Sequence, residues 1–147
     1  MLEQRVCDVP WRHLLTEGFH KLIWPQIEPM LAKSLAMDEL RRYTTQDVLQ
    51  QIMVGKARLW VSYDREAEKF EMAAVTEILQ SPQCRECRVW LIGGTNMKAW
   101  LRELDHMIDG YARSEFCSHV TSSGRPGWAR AVKNGWRPAG VDFIKTL

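Results

Sequence analysis

The chain has 147 residues, a formal charge of +2, 46% hydrophobic and 26% charged residues. That is enough for one domain with a real core, spanning residues 1–147, and the small charge, with bases interleaved among acids, argues against nucleic acid as a partner. No apolar run approaches the length of a membrane span, and Met1-Leu2-Glu3-Gln4-Arg5 carries no signal-peptide core, so the expected location is cytoplasmic.

In chain order, a short strand is predicted at 5–7. Asp8 is then placed to cap a helix with Pro10 in its first turn and Trp11, Leu14, Leu15, Gly18 and Leu22 on its buried stripe. Trp24-Pro25-Gln26-Ile27-Glu28-Pro29 breaks the pattern. Pro29 is tolerable near the start of a second helix running to about Met37, with Met30, Leu31 and Leu35 inward. Thr44 or Thr45 caps a third helix bearing Val48, Leu49, Ile52 and Met53, which Gly55 stops; Thr44 with Asp47 resembles a capping box.

The period then changes from helical to two. Strands are predicted at 57–63 and 70–79, with a charged turn at 64–69, and Ser81-Pro82-Gln83 leads into a third strand at 85–92. Three strands with two short connections form an antiparallel meander. On the third, Cys87, Val89 and Leu91 are expected on one face, Trp90 and Ile92 on the other. The turn Gly93-Gly94-Thr95-Asn96 follows, and Met97, Trp100, Leu101, Leu104, Met107, Ile108 and Tyr111 recur at helical spacing. A strand at 117–121 completes a βαβ unit whose strands should be parallel neighbours. A loop at 122–127, a short helix at 128–134 stopped by Gly135, and a last strand at 141–145 end the chain.

Two features invite chemistry. Amides at the start of the helix near Met97 lie at a positive dipole end, and a preceding glycine pair lets an anion approach. Such ligands bind beyond the carboxyl ends of parallel strands, where Arg125 on the second loop can converge. The plain alternative is that the glycines only turn the chain, Asn96 or Thr95 caps the helix, and Arg125 is solvated. The other feature is Cys84 and Cys87, a CxxC. Cys7, Cys117 and the four histidines lack zinc-site spacing, and the pair precedes a strand, so reduced, packed thiols and no metal are expected. Asp105 and Asp109 share a helix face as ordinary exposed residues.

The order of elements, with the ending Trp128-Ala129-Arg130-Ala131-Val132-Lys133-Asn134-Gly135-Trp136-Arg137, resembles the GNAT superfamily of acyl-CoA-dependent N-acetyltransferases, an α/β fold on a mixed sheet. The stretches Ala57-Arg58-Leu59-Trp60-Val61, Ala74-Val75-Thr76-Glu77-Ile78 and Leu91-Ile92-Gly93-Gly94 look like small GNAT-like proteins of tailed bacteriophages. The resemblance implies acetyl-CoA lodged between the two parallel strands, its pyrophosphate held by Gly93, Gly94, Thr95, Asn96 and Met97, with an amine attacking the thioester.

The chain departs from that family twice. Its glycine loop is short and has no basic residue before the glycines. Where many members place a tyrosine that protonates the leaving thiolate, this chain has Ala131, which donates nothing. A general base is unassigned; Glu77 is the carboxylate to test first, against the plainer view of a solvent-facing strand residue. Two readings follow. One is an acyl-CoA-dependent N-acyltransferase. The other, favoured by both departures, is a degenerate acetyltransferase serving as a binding or structural subunit, with phage structural proteins or a second copy as partner and the virion as its location. The seven tryptophans suit a protein partner.

Overall fold

The computed structural model describes residues 4–123, 135–140 and 142–147. A five-stranded sheet has the order β1 (Val6–Asp8), β2 (Ala57–Asp64), β3 (Lys69–Gln80), β4 (Arg85–Gly94), β5 (His119–Ser122). The first four strands are antiparallel neighbours, and β4 and β5 are parallel, joined by the helix α4 (Met97–Ser114). The predicted meander and βαβ unit are therefore present. Short turns permit only antiparallel neighbours, and a long amphipathic helix can return the chain for a parallel one.

Two cores lie on opposite faces of this sheet. On one face Leu59, Val61, Ala73, Val75 and Leu91 pack against the N-terminal helices. On the other, Trp60, Met72, Ala74, Cys87 and Val89 meet Trp100, Leu104 and Ile108 of α4. Strict alternation along β4 does not hold. Val75 lies opposite Leu91 but Thr76 opposite Val89, so Trp90 is an extra residue, a bulge. Cys87 and Val89 thus face α4, whereas Leu91 faces the N-terminal helices, contrary to the single face predicted for all three.

The N-terminal helices depart further from expectation. The first, α1, is only Trp11–Leu14, with Pro10 rather than Asp8 at its cap; Asp8 sits in β1 and pairs with Arg58 at 2.9 Å. A π-helical turn, Phe19–Ile23, runs directly into α2 (Trp24–Leu35). The helix breaks after Leu14, and the extra residue of the π turn shifts the stripe beyond it, so Phe19 is buried while Leu22, like Trp11 and Leu15, is exposed. The helix does not start near Pro29: Pro25 occupies its first turn, and Pro29 lies inside it. The N–H of Trp24 already bonds five residues back, to Phe19, and Pro25 sits where a missing donor is harmless. An interior proline costs about 3 kcal/mol. Burial of Trp24, Ile27, Leu31 and Leu35, at about 1.5–3 kcal/mol per large side chain, outweighs it.

The third helix, α3 (Thr45–Met53), has the predicted capping box: the Thr44 amide donates to Asp47 at 2.8 Å and the Asp47 amide donates to Thr44 at 3.2 Å. Gly55 follows with φ +80°, as a helix stop requires. The expected loop beyond Ser123 and the helix at 128–134 lie outside the described residues; Gly135 has the positive φ, 82°, predicted for it. Of the expected last strand, Val141 is not described, and residues 142–147 form no strand: they have no ladder partner, and Phe143 is exposed. No helix among the described residues is long and apolar enough to cross a membrane.

Candidate functional site

The parallel pair β4–β5 ends at Val89 and Ser122, while β4 continues to Gly94. Beyond that point the two strands part, and the outer edge of β4 faces the gap. Thr95 donates its amide to the Glu71 carbonyl at 2.8 Å. Antiparallel bonding alternates, so Gly93 and Leu91 also bond toward β3, and Ile92 and Gly94 direct their amides toward the gap. The Ile92 amide is already taken there, donating to the Ser34 hydroxyl of α2 at 3.1 Å.

The glycine pair has packing reasons of its own. A methyl group on Gly93 would overlap the Met30 carbonyl oxygen of α2, so the helix backbone lies directly on the strand. Gly94 has φ +149°, and a methyl there would overlap the Glu71 carbonyl oxygen. Asn96 is the N-cap residue of α4 with φ 56°, but its side chain makes no cap bond and instead donates to Glu71 at 3.3 Å. Met97 opens α4 at the surface, and its amide has no intrahelical acceptor. Trp100 closes the turn from beneath, its indole N–H donating to the Thr95 carbonyl at 2.7 Å.

Under this turn lies Glu71, which is 1% exposed. Its carboxylate accepts from Ser62 at 2.8 Å and from Arg5 at 2.6 Å, as well as from Asn96. A buried acid needs partners for its oxygens, and these three supply them. It also sets a negative group behind the very amides that an anion would approach. Sequence reasoning passed over Glu71; the visible signal was an acid preceding the apolar run 72–75 in a strand. Ser34, 58 residues from Ile92, gave no signal.

The other candidates separate. Glu77 does neighbour β4, pairing in register with Arg88 whose Nε lies 3.5 Å from its carboxylate, and it is partly buried rather than free in solvent. Asp105 accepts from the Trp136 indole at 2.8 Å. Burial, and then the Asp105 charge, hold the Asp109 carboxyl above its usual range. No cluster among the described residues can hold a metal ion. The four cysteines are free. Of the CxxC, Cys87 is packed against α4, but Cys84 is only partly buried, in the turn before β4.

A cleft of about 630 Å³ opens at the opposite end of the sheet, between Trp11, Arg58, Glu77, Arg85 and Tyr111. Within it Arg58 pairs with Asp8, and Arg85 with Glu115 at 3.5 Å. Arg58 also stacks over Tyr111, 4.3 Å from the ring centre.

No protein-family model and no curated protein sequence matches the chain. Solved structures do. An aminoglycoside acetyltransferase from an uncultured soil metagenomic sample, in complex with sisomicin, is 11% identical; the match covers 97% of this chain and 95% of that one, with a TM-score of 0.67. A GNAT family acetyltransferase of Staphylococcus aureus is 12% identical over 98% of this chain and 100% of its own, at a TM-score of 0.60. A transcriptional regulator from Bacillus halodurans is 13% identical over 97% and 98%, at 0.66. The chain has the GNAT fold, which acetyltransferases and a transcriptional regulator share.

Proposed function

We propose that this GNAT-fold protein is a degenerate acetyltransferase whose acyl-CoA gap has been closed, and that it works as a binding or structural subunit. One observation carries the reading. An acyl-CoA lodged between β4 and β5 must meet the open edge of β4, and there the Ile92 amide is bonded to Ser34 while α2 lies on Gly93. The turn beyond offers a diphosphate poor company: the Thr95 amide is used, no cation precedes the glycines, and buried Glu71 stands behind. Gly93, Gly94, Thr95, Asn96 and Met97 are therefore a poor fit for the pyrophosphate of acetyl-CoA, with the Gly94 and Met97 amides the donors left over.

A protein partner suits the exposed Trp11, Leu15, Leu22 and Val54 of the N-terminal helical layer. That the partner belongs to a phage particle rests on the texture of the sequence alone. The second reading, an active N-acyltransferase, is favoured by the gap itself, since β4 runs past its last pairing with β5. Titration calorimetry with acetyl-CoA separates the two. A flat trace at millimolar ligand is expected; saturable heat with acetyl transfer to an amine would restore the enzyme.

A further inference from the structure

The two cysteines of the CxxC differ in everything but spacing. Cys87 is fully buried, and burial is the main reason its thiol is pushed up to about 11. The Cys84 Sγ instead lies 3.4 Å from His119 Nδ1 and 3.4 Å from Ser118 Oγ, and those two atoms are 2.8 Å apart. The backbone fixes this meeting. Ser81 donates to the Cys84 carbonyl at 2.8 Å, Ser118 donates its amide to the Arg85 carbonyl at 2.8 Å, and His119 is in register with Glu86.

The nearby charges are engaged elsewhere. The Arg85 guanidinium donates to the Glu115 carbonyl at 2.6 Å, and Glu86 accepts from Thr121 at 2.6 Å. His119 is exposed, so its ring can exchange a proton with water. The Ser118 hydroxyl can donate to the Arg85 carbonyl at 3.3 Å, which leaves Nδ1 to accept from the thiol.

We propose that Cys84, activated by His119, is a modification site that takes a small disulfide. The thiol gives its proton to His119 Nδ1, and the thiolate attacks one sulfur of the disulfide. The S–S bond of the reagent breaks as the Cys84 mixed disulfide forms. The departing thiolate leaves with the imidazolium proton, so electrons and protons balance. The remaining thiols are poorer nucleophiles. Cys7 is exposed but raised by burial and then by Asp8 and Glu103, and Cys117 is raised first by burial.

The test uses the folded full chain with glutathione disulfide at neutral pH, following loss of each free thiol by peptide mass mapping. Cys84 should react first, and Cys84→Ser should remove that first event. His119→Gln should slow it by roughly tenfold or more, since thiolate fraction sets the rate. Circular dichroism confirms that the variants stay folded. Reaction first at Cys7, or an unchanged Cys84 rate in folded His119→Gln, would overturn the proposal.

Discussion

The two ends of β4 are opposites. At its C-terminal end, Gly93 and Gly94 are pressed between Met30 and Glu71, and the Ile92 and Thr95 amides have partners inside the protein. At its N-terminal end, Cys84 meets His119 and Ser118 near the surface, brought together by the backbone bonds of the turn and of β5. The first end is the one that looks like an anion loop in the sequence, yet its Ile92 and Thr95 donors are spent within the protein. A free thiol beside an imidazole lies at the second. A fold thus conveys where a site can be, while local satisfaction of donors and acceptors decides whether one remains.

The sharpest way to break this contrast is to open the closed end. Glu71→Ala strands Arg5, Ser62 and Asn96 together. Removing one partner of a buried pair costs about 3–5 kcal/mol, and the partial exposure of Arg5 favours the lower value, about 3 kcal/mol. Urea unfolding measures it; a loss below about 1 kcal/mol would mean that the acid does not hold the turn shut. Gly93→Ala comes next, destabilising by about 2–3 kcal/mol through overlap with the α2 backbone. Gly110→Ala is its control: nothing lies near a methyl there, and the helix should gain up to about 1 kcal/mol.

A purely local device gives the scale. Thr44→Ala should cost about 1 kcal/mol by loss of the cap. Hydrogen bonds from Thr44 hold the Asp47 carboxyl below its usual range. The cap's pH-dependent contribution is therefore present above the unfolded value of about 3.9 and is lost as pH falls through the lowered folded one. The variant's stability profile should be flatter in acid.

The smallest effect sharpens the other end. Asp109→Asn near Cys87 should stabilise at neutral pH by less than about 0.5 kcal/mol after solvent screening. The sign follows from the raised carboxyl: its favourable contribution exists in acid and is lost as pH rises through the folded value. The variant's advantage should vanish below the ordinary carboxylate range.

Local pattern explains what could be read in advance. The strands β2, β3 and β4, the helix α4 and the Thr44–Asp47 box are each written in adjacent residues, and the structure has them. The misreadings needed distant partners. Pro29 stays helical because four buried side chains outweigh it. The glycine pair looks like an anion loop until Met30, 63 positions earlier, is placed against it. Ser34 with Ile92, Glu71 with Asn96, and Cys84 with His119 are meetings across the sheet and its helices. No period or motif marks any of them.

The bulge at Trp90 acts as a shift of reading frame within one strand. Before it Cys87 and Val89 face α4; after it Leu91 and Gly93 face the N-terminal helices, and Ile92 takes over the α4 side. Without that extra residue, Gly93 would turn away from Met30, and a side chain would be presented to the α2 backbone in its place. One inserted residue therefore keeps two separately patterned halves of a strand in phase with two different layers.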